Sequence, residues 1–185
     1  MKLDQFTAKV SAAICAQREA FTAISTKRSA AQTTLATFAS APSAKGLPDA
    51  IHARHDLDAL ERIVADMPSA ERSEADLRDR LTALHADELA NELSAQIVTR
   101  SAGRAAFRKR HGEIIAKLSA RIATDDTLTD HDCYLLGIER TTAEGAITNA
   151  ERELAEANRA VATLRSTPSW QAFEDAKGVT SNVTF

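Results

Sequence analysis

Residues 143–164, AEGAITNAERELAEANRAVATL, carry the most regular pattern in the chain. Alanine alternates there with larger aliphatic side chains, and the steps between successive apolar positions are four and three residues in turn. This spacing places every apolar position on one side of an α-helix and is typical of a left-handed coiled-coil seam. We therefore predict a long helix that packs closely against an antiparallel neighbour. The predicted seam positions are Ala143, Ile147, Ala150, Leu154, Ala157, Val161 and Leu164.

Apolar steps of three and four residues also run through most of the remaining chain. They predict helices over residues 3–40, 48–67, 69–123, 129–166 and 168–177, with a tail over residues 178–185. The first stripe contains two polar breaks, Gln17 and Arg28, which either set the register or face solvent. Its positions are Leu3, Phe6, Val10, Ile14, Gln17, Phe21, Ile24, Arg28, Ala31, Leu35 and Phe38. Those of the third stripe are Leu77, Leu81, Leu84, Leu89, Leu93, Ile97, Phe107, Ile114, Leu118 and Ile122.

Helix-breaking and capping residues set the predicted boundaries. Pro68 ends the second helix, and Gly178 ends the last. Thr129 followed by Asp132 indicates a capping pair at the start of the helix over residues 129–166. Gly103 and Gly112 weaken the middle of the long third helix, and we allow a kink or a break near either one.

The predicted fold is all-α: an elongated antiparallel helical bundle or coiled coil of four to five helices, in a single domain over residues 1–185. Alanine makes up about a fifth of the chain and aromatic residues only 4%, so the core is thin. A thin core gives modest stability per residue. We therefore expect a homo-oligomer or a component of an assembly.

Basic residues are concentrated in one segment. Residues 100–121 contain seven basic residues and one acidic residue, whereas residues 125–156 contain two basic and nine acidic residues. The basic segment has three interpretations: a solvated or acid-paired helix face, a nucleic-acid surface, or a surface for an acidic protein. The candidate residues for an anionic partner are Arg100, Arg104, Arg108, Lys109, Arg110, Lys117 and Arg121.

No recognisable catalytic or cofactor motif appears in the sequence. Asp49, His52, His55 and Asp56 could share one side of a helix, but their spacing is not that of a known metal motif, and we interpret them as a solvated helix start. We expect no catalytic residue, metal or cofactor. Two aromatic residues near the end, Trp170 and Phe173, either cap the apolar seam or serve as an anchor for a partner.

These observations favour a non-catalytic structural or protein–protein interaction protein, a coiled-coil component of a larger assembly. Its partners would be copies of itself or other proteins, and a phage or bacterial assembly or accessory factor is a plausible setting. The alternative is a nucleic-acid-associated coiled coil that uses residues 100–121. Neither a signal peptide nor a membrane span is evident, so we expect no membrane partner and a location in the cytoplasm, or in a particle assembled there.

Overall fold

The computed structural model describes residues 1–67 and 69–185, without the side chains of Ala70 and Glu71. These residues form helices and no strands, which confirms the predicted all-α bundle. The prediction that Pro68 ends the second helix falls on a residue outside the described part. The helices are α1 (Leu3–Ser40), α2 (Leu47–Asp66), α3 (Ala70–Arg100), α4 (Arg104–Thr124), α5 (Asp130–Ser166) and α6 (Trp170–Asn182), with a 3-10 turn over Ser101–Gly103.

Internal contacts divide the described chain into two compact units. The N-terminal unit is Asp4–Leu81, and the C-terminal unit is Thr82–Phe185 together with Met1–Leu3. The single domain expected from the sequence stays a prediction.

In the N-terminal unit, α1 packs antiparallel to α2 through small side chains. Ala31, Ala53 and Leu57 form a buried cluster against which Leu35 packs. All eleven predicted positions of the first stripe are buried or half-buried, including both polar breaks. Gln17 donates a hydrogen bond to the Ser73 hydroxyl, so this break lies in the seam and not in solvent.

An ion pair joins α1 to the first turns of α3. Arg18 Nε and Nη2 donate to the two carboxylate oxygens of Glu74 at 2.6 and 2.9 Å. The hydrogen bonds from Arg18 hold the pKa of Glu74 below its ordinary value. The bidentate geometry links α1 to the first turns of α3 within the N-terminal unit.

The C-terminal unit has the larger side chains in its core. Residues 82–100 of α3, the second half of α5 and all of α6 contribute to it. Arg165 of α5 donates to Asn91 Oδ1 of α3 at 2.6 Å, and Arg100 Nη1 donates to the Ser181 carbonyl of α6 at 2.9 Å. Among the described residues, the largest fully buried side chains of this core are Thr82, Leu89, Leu93, Leu164, Phe173, Thr180 and Val183.

The seam predicted for α5 is confirmed in position. Five of its seven residues are buried and the other two are half-buried. Thr129 accepts a hydrogen bond from the Asp132 amide at 3.2 Å, and Asp132 accepts one from the Thr129 amide at 3.0 Å. The predicted capping pair is therefore a complete capping box.

The third predicted helix is interrupted at one of the two places where a break was allowed, and two of its predicted seam positions are wrong. The 3-10 turn at Ser101–Gly103 separates α3 from α4, at one of the two glycines that weaken the pattern. Leu84 is 73% exposed, because Thr82 and Ala86 occupy the core side of α3 in its place. Ile114 is 40% exposed, whereas the neighbouring Ile115 is half-buried.

The predicted end of the last helix is also wrong. Gly178 lies inside α6, which continues to Asn182. Thr180 and Val183 are buried, so their packing outweighs the weak helix propensity of glycine. The end of the predicted tail lies against α4, where the rings of Phe185 and Phe107 meet edge to face at 5.7 Å.

We predict opposite consequences for alanine at two glycines. A Cβ at Gly112 would meet no atom within 4 Å, so Gly112→Ala should stabilise the chain by about 0.5–1 kcal/mol through helix propensity. A Cβ at Gly103 would lie 3.2 Å from the Phe185 carbonyl oxygen, so Gly103→Ala should gain less or lose stability. Urea unfolding measures the change in unfolding free energy for both variants, provided that the slope m stays the same as in wild type. An equal gain for the two variants would contradict the contact between Phe185 and the 3-10 turn.

Candidate interaction surface

The helices α4 and α5 form an antiparallel hairpin in which α4 is thinly covered. None of the 21 residues of α4 is buried. Its inward side is only half-buried, and there His111 Nδ1 lies 2.9 Å from the Phe107 carbonyl oxygen. The half-buried inward positions are Arg104, Phe107, His111, Ile115, Leu118 and Ile122. Because an amphipathic helix in a protein depends on tertiary packing for most of its stability, α4 is incompletely supported in the single chain.

Polar contacts define the turn between the two helices. Asp125 Oδ1 accepts from the Thr127 amide at 3.2 Å and from the Thr127 hydroxyl at 2.5 Å. These hydrogen bonds lower the pKa of Asp125, and those from Thr129 lower the pKa of Asp132. Carboxylates at both ends of the turn therefore stay ionised and fix its geometry.

An arginine–glutamate cluster joins the hairpin at its other end. Arg104 donates to both carboxylate oxygens of Glu151, with Nε at 2.9 Å from Oε1. Arg108 Nη1 lies 3.7 Å from the same carboxylate. The hydrogen bond from Arg104 is the main cause that holds the pKa of Glu151 below its ordinary value. The pairing of a basic with an acidic helix follows the charge alternation in the sequence.

The structure separates the seven basic residues of the predicted face. Arg100 lies at the C-terminal end of α6, where it donates to a free carbonyl group, and Arg121 lies 3.7 Å from Asp125. With Arg104 and Arg108 bound to Glu151, these four side chains have partners in the chain. Lys109, Arg110 and Lys117 are exposed, and Arg110 lies over the Phe107 ring at 6.0 Å.

The side of α5 that faces away from α4 carries three large apolar residues in one turn. Tyr134 is 66% exposed, Leu135 45% and Ile138 46%. The hydroxyls of Thr141 and Thr142 donate to backbone carbonyls one turn earlier, at 2.9 and 2.8 Å. We call Tyr134, Leu135 and Ile138 the α5 outer face.

Sequence reasoning missed the α5 outer face, although the signal was present. The predicted seam began at Ala143, but the same steps continue back to Arg140 and Leu136, which are half-buried. Extending the seam in this way places the α5 outer face opposite it. Polar residues are expected on the helix side opposite the seam, so large apolar residues there are the exception that carries information about interaction.

The aromatic candidates lie in or beside the core of the C-terminal unit. Phe173 is fully buried, and the half-buried Trp170 ring lies 5.4 Å from it. Their place corresponds to the first of the two predicted roles, the capping of an apolar core. Phe173 offers no surface to a partner in this structure.

The histidine and aspartate residues of α2 line an open groove. Asp49, His52 and Asp56 face Lys27 of α1 across a groove of about 540 Å³. The His55 side chain is 86% exposed. Among the described residues, no three His, Cys, Asp or Glu side chains converge as metal ligands do.

We predict that acid weakens the hairpin through Glu151. Because the folded-state pKa of Glu151 is lowered, its stabilisation is present above the unfolded-state value near 4.3 and is lost as the pH falls through the folded-state value. The Tm difference between the wild type and Glu151→Gln should therefore be largest at neutral pH and shrink below about pH 4. Glu156→Gln is the control, since within the described residues Glu156 forms an ion pair with Arg152 of the same helix and with no residue of α4. A Tm difference for Glu151→Gln that is independent of pH would contradict the assignment.

Comparison of the chain with protein-family models, with curated proteins and with solved structures finds no match in any of the three. Within the described residues, none of the helices has the length and apolar character needed to cross a bilayer. Evidence on function therefore comes from the residues, distances and exposures of this chain.

Proposed function

We propose that this chain is a non-catalytic interaction protein that docks onto other protein subunits through the α4–α5 hairpin. The subunits are copies of itself or other components of an assembly. The observation that carries the proposal is the lack of cover on the hairpin: α4 has no buried residue, and α5 exposes Tyr134, Leu135 and Ile138 on its outer side.

The size of the apolar surface indicates how strongly such a partner would bind. Complete burial of an exposed Leu or Ile side chain contributes about 1.5–3 kcal/mol, and the α5 outer face is about half exposed. Its burial would therefore contribute about 2–4 kcal/mol before the entropic cost of association. One such contact gives weak binding, with a Kd of about 1 mM or larger. Repeated contacts within an assembly would supply the remaining affinity.

The charge distribution favours a protein partner over nucleic acid. Arg104 and Arg108 bind Glu151, and Arg100 binds a backbone carbonyl group, so the regular row of arginines predicted to follow phosphates is occupied. Five basic residues of α4 are exposed, and two of them, Arg108 and Arg121, lie beside a carboxylate of the chain. The adjoining segment 125–156 is strongly acidic. Such an arrangement supports recognition of a charged protein surface more than that of a polyanion.

A comparison of two double variants tests the proposal. Wild type, Leu135→Gln plus Ile138→Gln, and the control Leu84→Gln plus Val98→Gln are each used to capture material from a lysate of the cells that make the protein. Leu84 and Val98 are 73% and 69% exposed on α3, so the control removes at least as much exposed apolar surface elsewhere. After cross-linking, we expect wild type and the control to capture a defined set of proteins that includes the chain itself. Leu135→Gln plus Ile138→Gln, the α5 variant, should capture none of them.

Two results would contradict the proposal. Equal capture by all three forms would mean that the α5 outer face has no part in binding. Capture of nucleic acid alone, released by salt and abolished in Lys109→Glu plus Lys117→Glu, would favour the nucleic-acid alternative.

A further inference from the structure

We propose that the α5 outer face binds the exposed basic side of α4 in a second copy of the chain, so that copies associate head to tail. This inference rests on the proposed interaction function and names the partner. It depends on two surfaces of the same hairpin that complement each other in charge and in side-chain size.

The first surface is an apolar patch with an acidic border. Tyr134, Leu135 and Ile138 are bordered within one turn by Asp130 and Glu139, both exposed. The patch continues toward Gly145, where a Cβ would meet no atom within 4 Å. A helix that approaches this side therefore meets large apolar side chains and negative charge.

The second surface is the side of α4 that faces away from α5. Lys109 and Lys117 are exposed there, and Arg110 extends the positive charge along one edge. Glu113 is the acidic residue on this side. The small exposed residues Ala106, Ala116 and Ala120 lie along the same side, and a Cβ at Gly112 would meet no atom within 4 Å. Glu113 lies one turn from each lysine, so the large residues of another helix can approach closely beside the alanines rather than between the lysines.

Charge selects between the two ways in which copies could pair. Contact between two α5 outer faces would bring Asp130 and Glu139 of one copy near the same residues of the other, and like charges oppose such a contact. Contact between α5 of one copy and α4 of the next brings the acidic border to the lysines. The contact is then heterologous: the copy that binds through α5 keeps its α4 side free, the other keeps its α5 outer face free, and association can continue.

Sedimentation equilibrium of the purified full chain tests the self-association. We expect the weight-average mass to rise continuously above 19.9 kDa as the concentration approaches about 1 mM, and to fall in 1 M salt, where the Debye length shrinks to about 3 Å. Leu135→Gln plus Ile138→Gln, and separately Lys109→Glu plus Lys117→Glu, should each weaken association at least about tenfold. Leu84→Gln plus Val98→Gln should associate as wild type does. Circular dichroism verifies that each variant is folded.

Mixing the two association-defective variants gives the decisive result. The α5 variant keeps an intact α4 side, and the α4 variant keeps an intact α5 outer face, so an equimolar mixture should form a complex of two chains that neither variant forms alone. A mixture that stays monomeric while wild type associates would overturn the head-to-tail contact. A wild type that is monomeric at every concentration would overturn self-association as a whole. If wild type is monomeric but still captures other proteins through the α5 outer face, the proposed function stands and only self-association is wrong. If wild type neither self-associates nor captures proteins, both proposals are wrong.

Discussion

The pairing of helices through seams of small side chains is the constraint on which the rest of the structure depends. Ala143, Ala150 and Ala157 are buried along α5, and Ala31 and Ala53 hold α1 against α2. Alanine lets two helices approach closely but buries little apolar area, so a helix pair stays weak unless something else covers it. In the C-terminal unit, Phe173 of α6 and Val183 directly after it pack over one end of α5. The opposite end of α5 pairs with α4, which has no buried residue.

The polar contacts lie where the apolar packing of α5 against its neighbours is thin. Arg104 and Glu151 close the hairpin where the core of the C-terminal unit ends, and the capping box of Thr129 and Asp132 holds its turn. Between these two points the hairpin depends on half-buried contacts. The large apolar residues Tyr134, Leu135 and Ile138 point away from them. A surface of that kind at the least supported part of a protein is where an interaction partner adds most stability.

The sequence predicted the helical fold well because apolar spacing reports directly on helix faces. The first stripe and the α5 seam hold for almost every position, and the capping box was evident from two residues. Tertiary packing decided the rest. Leu84 fits the spacing as well as Thr82 does, and only the position of neighbouring helices puts Thr82 in the core. Gly178 stays helical because Thr180 and Val183 beyond it are buried. The basic segment was evident from composition. One sequence cannot show that Arg104 forms an ion pair with Glu151, which lies far along the chain.

The claim that the α4–α5 hairpin is incomplete until a protein covers it is tested most directly by hydrogen exchange at low and high protein concentration. In dilute solution we expect amides of residues 104–124 and 130–148 to exchange much faster than those of residues 150–166, because the latter lie in the covered part of α5. At high concentration the protection should rise over the hairpin and remain constant elsewhere. Uniform strong protection of both helices in the dilute monomer, unchanged by concentration, would contradict the account.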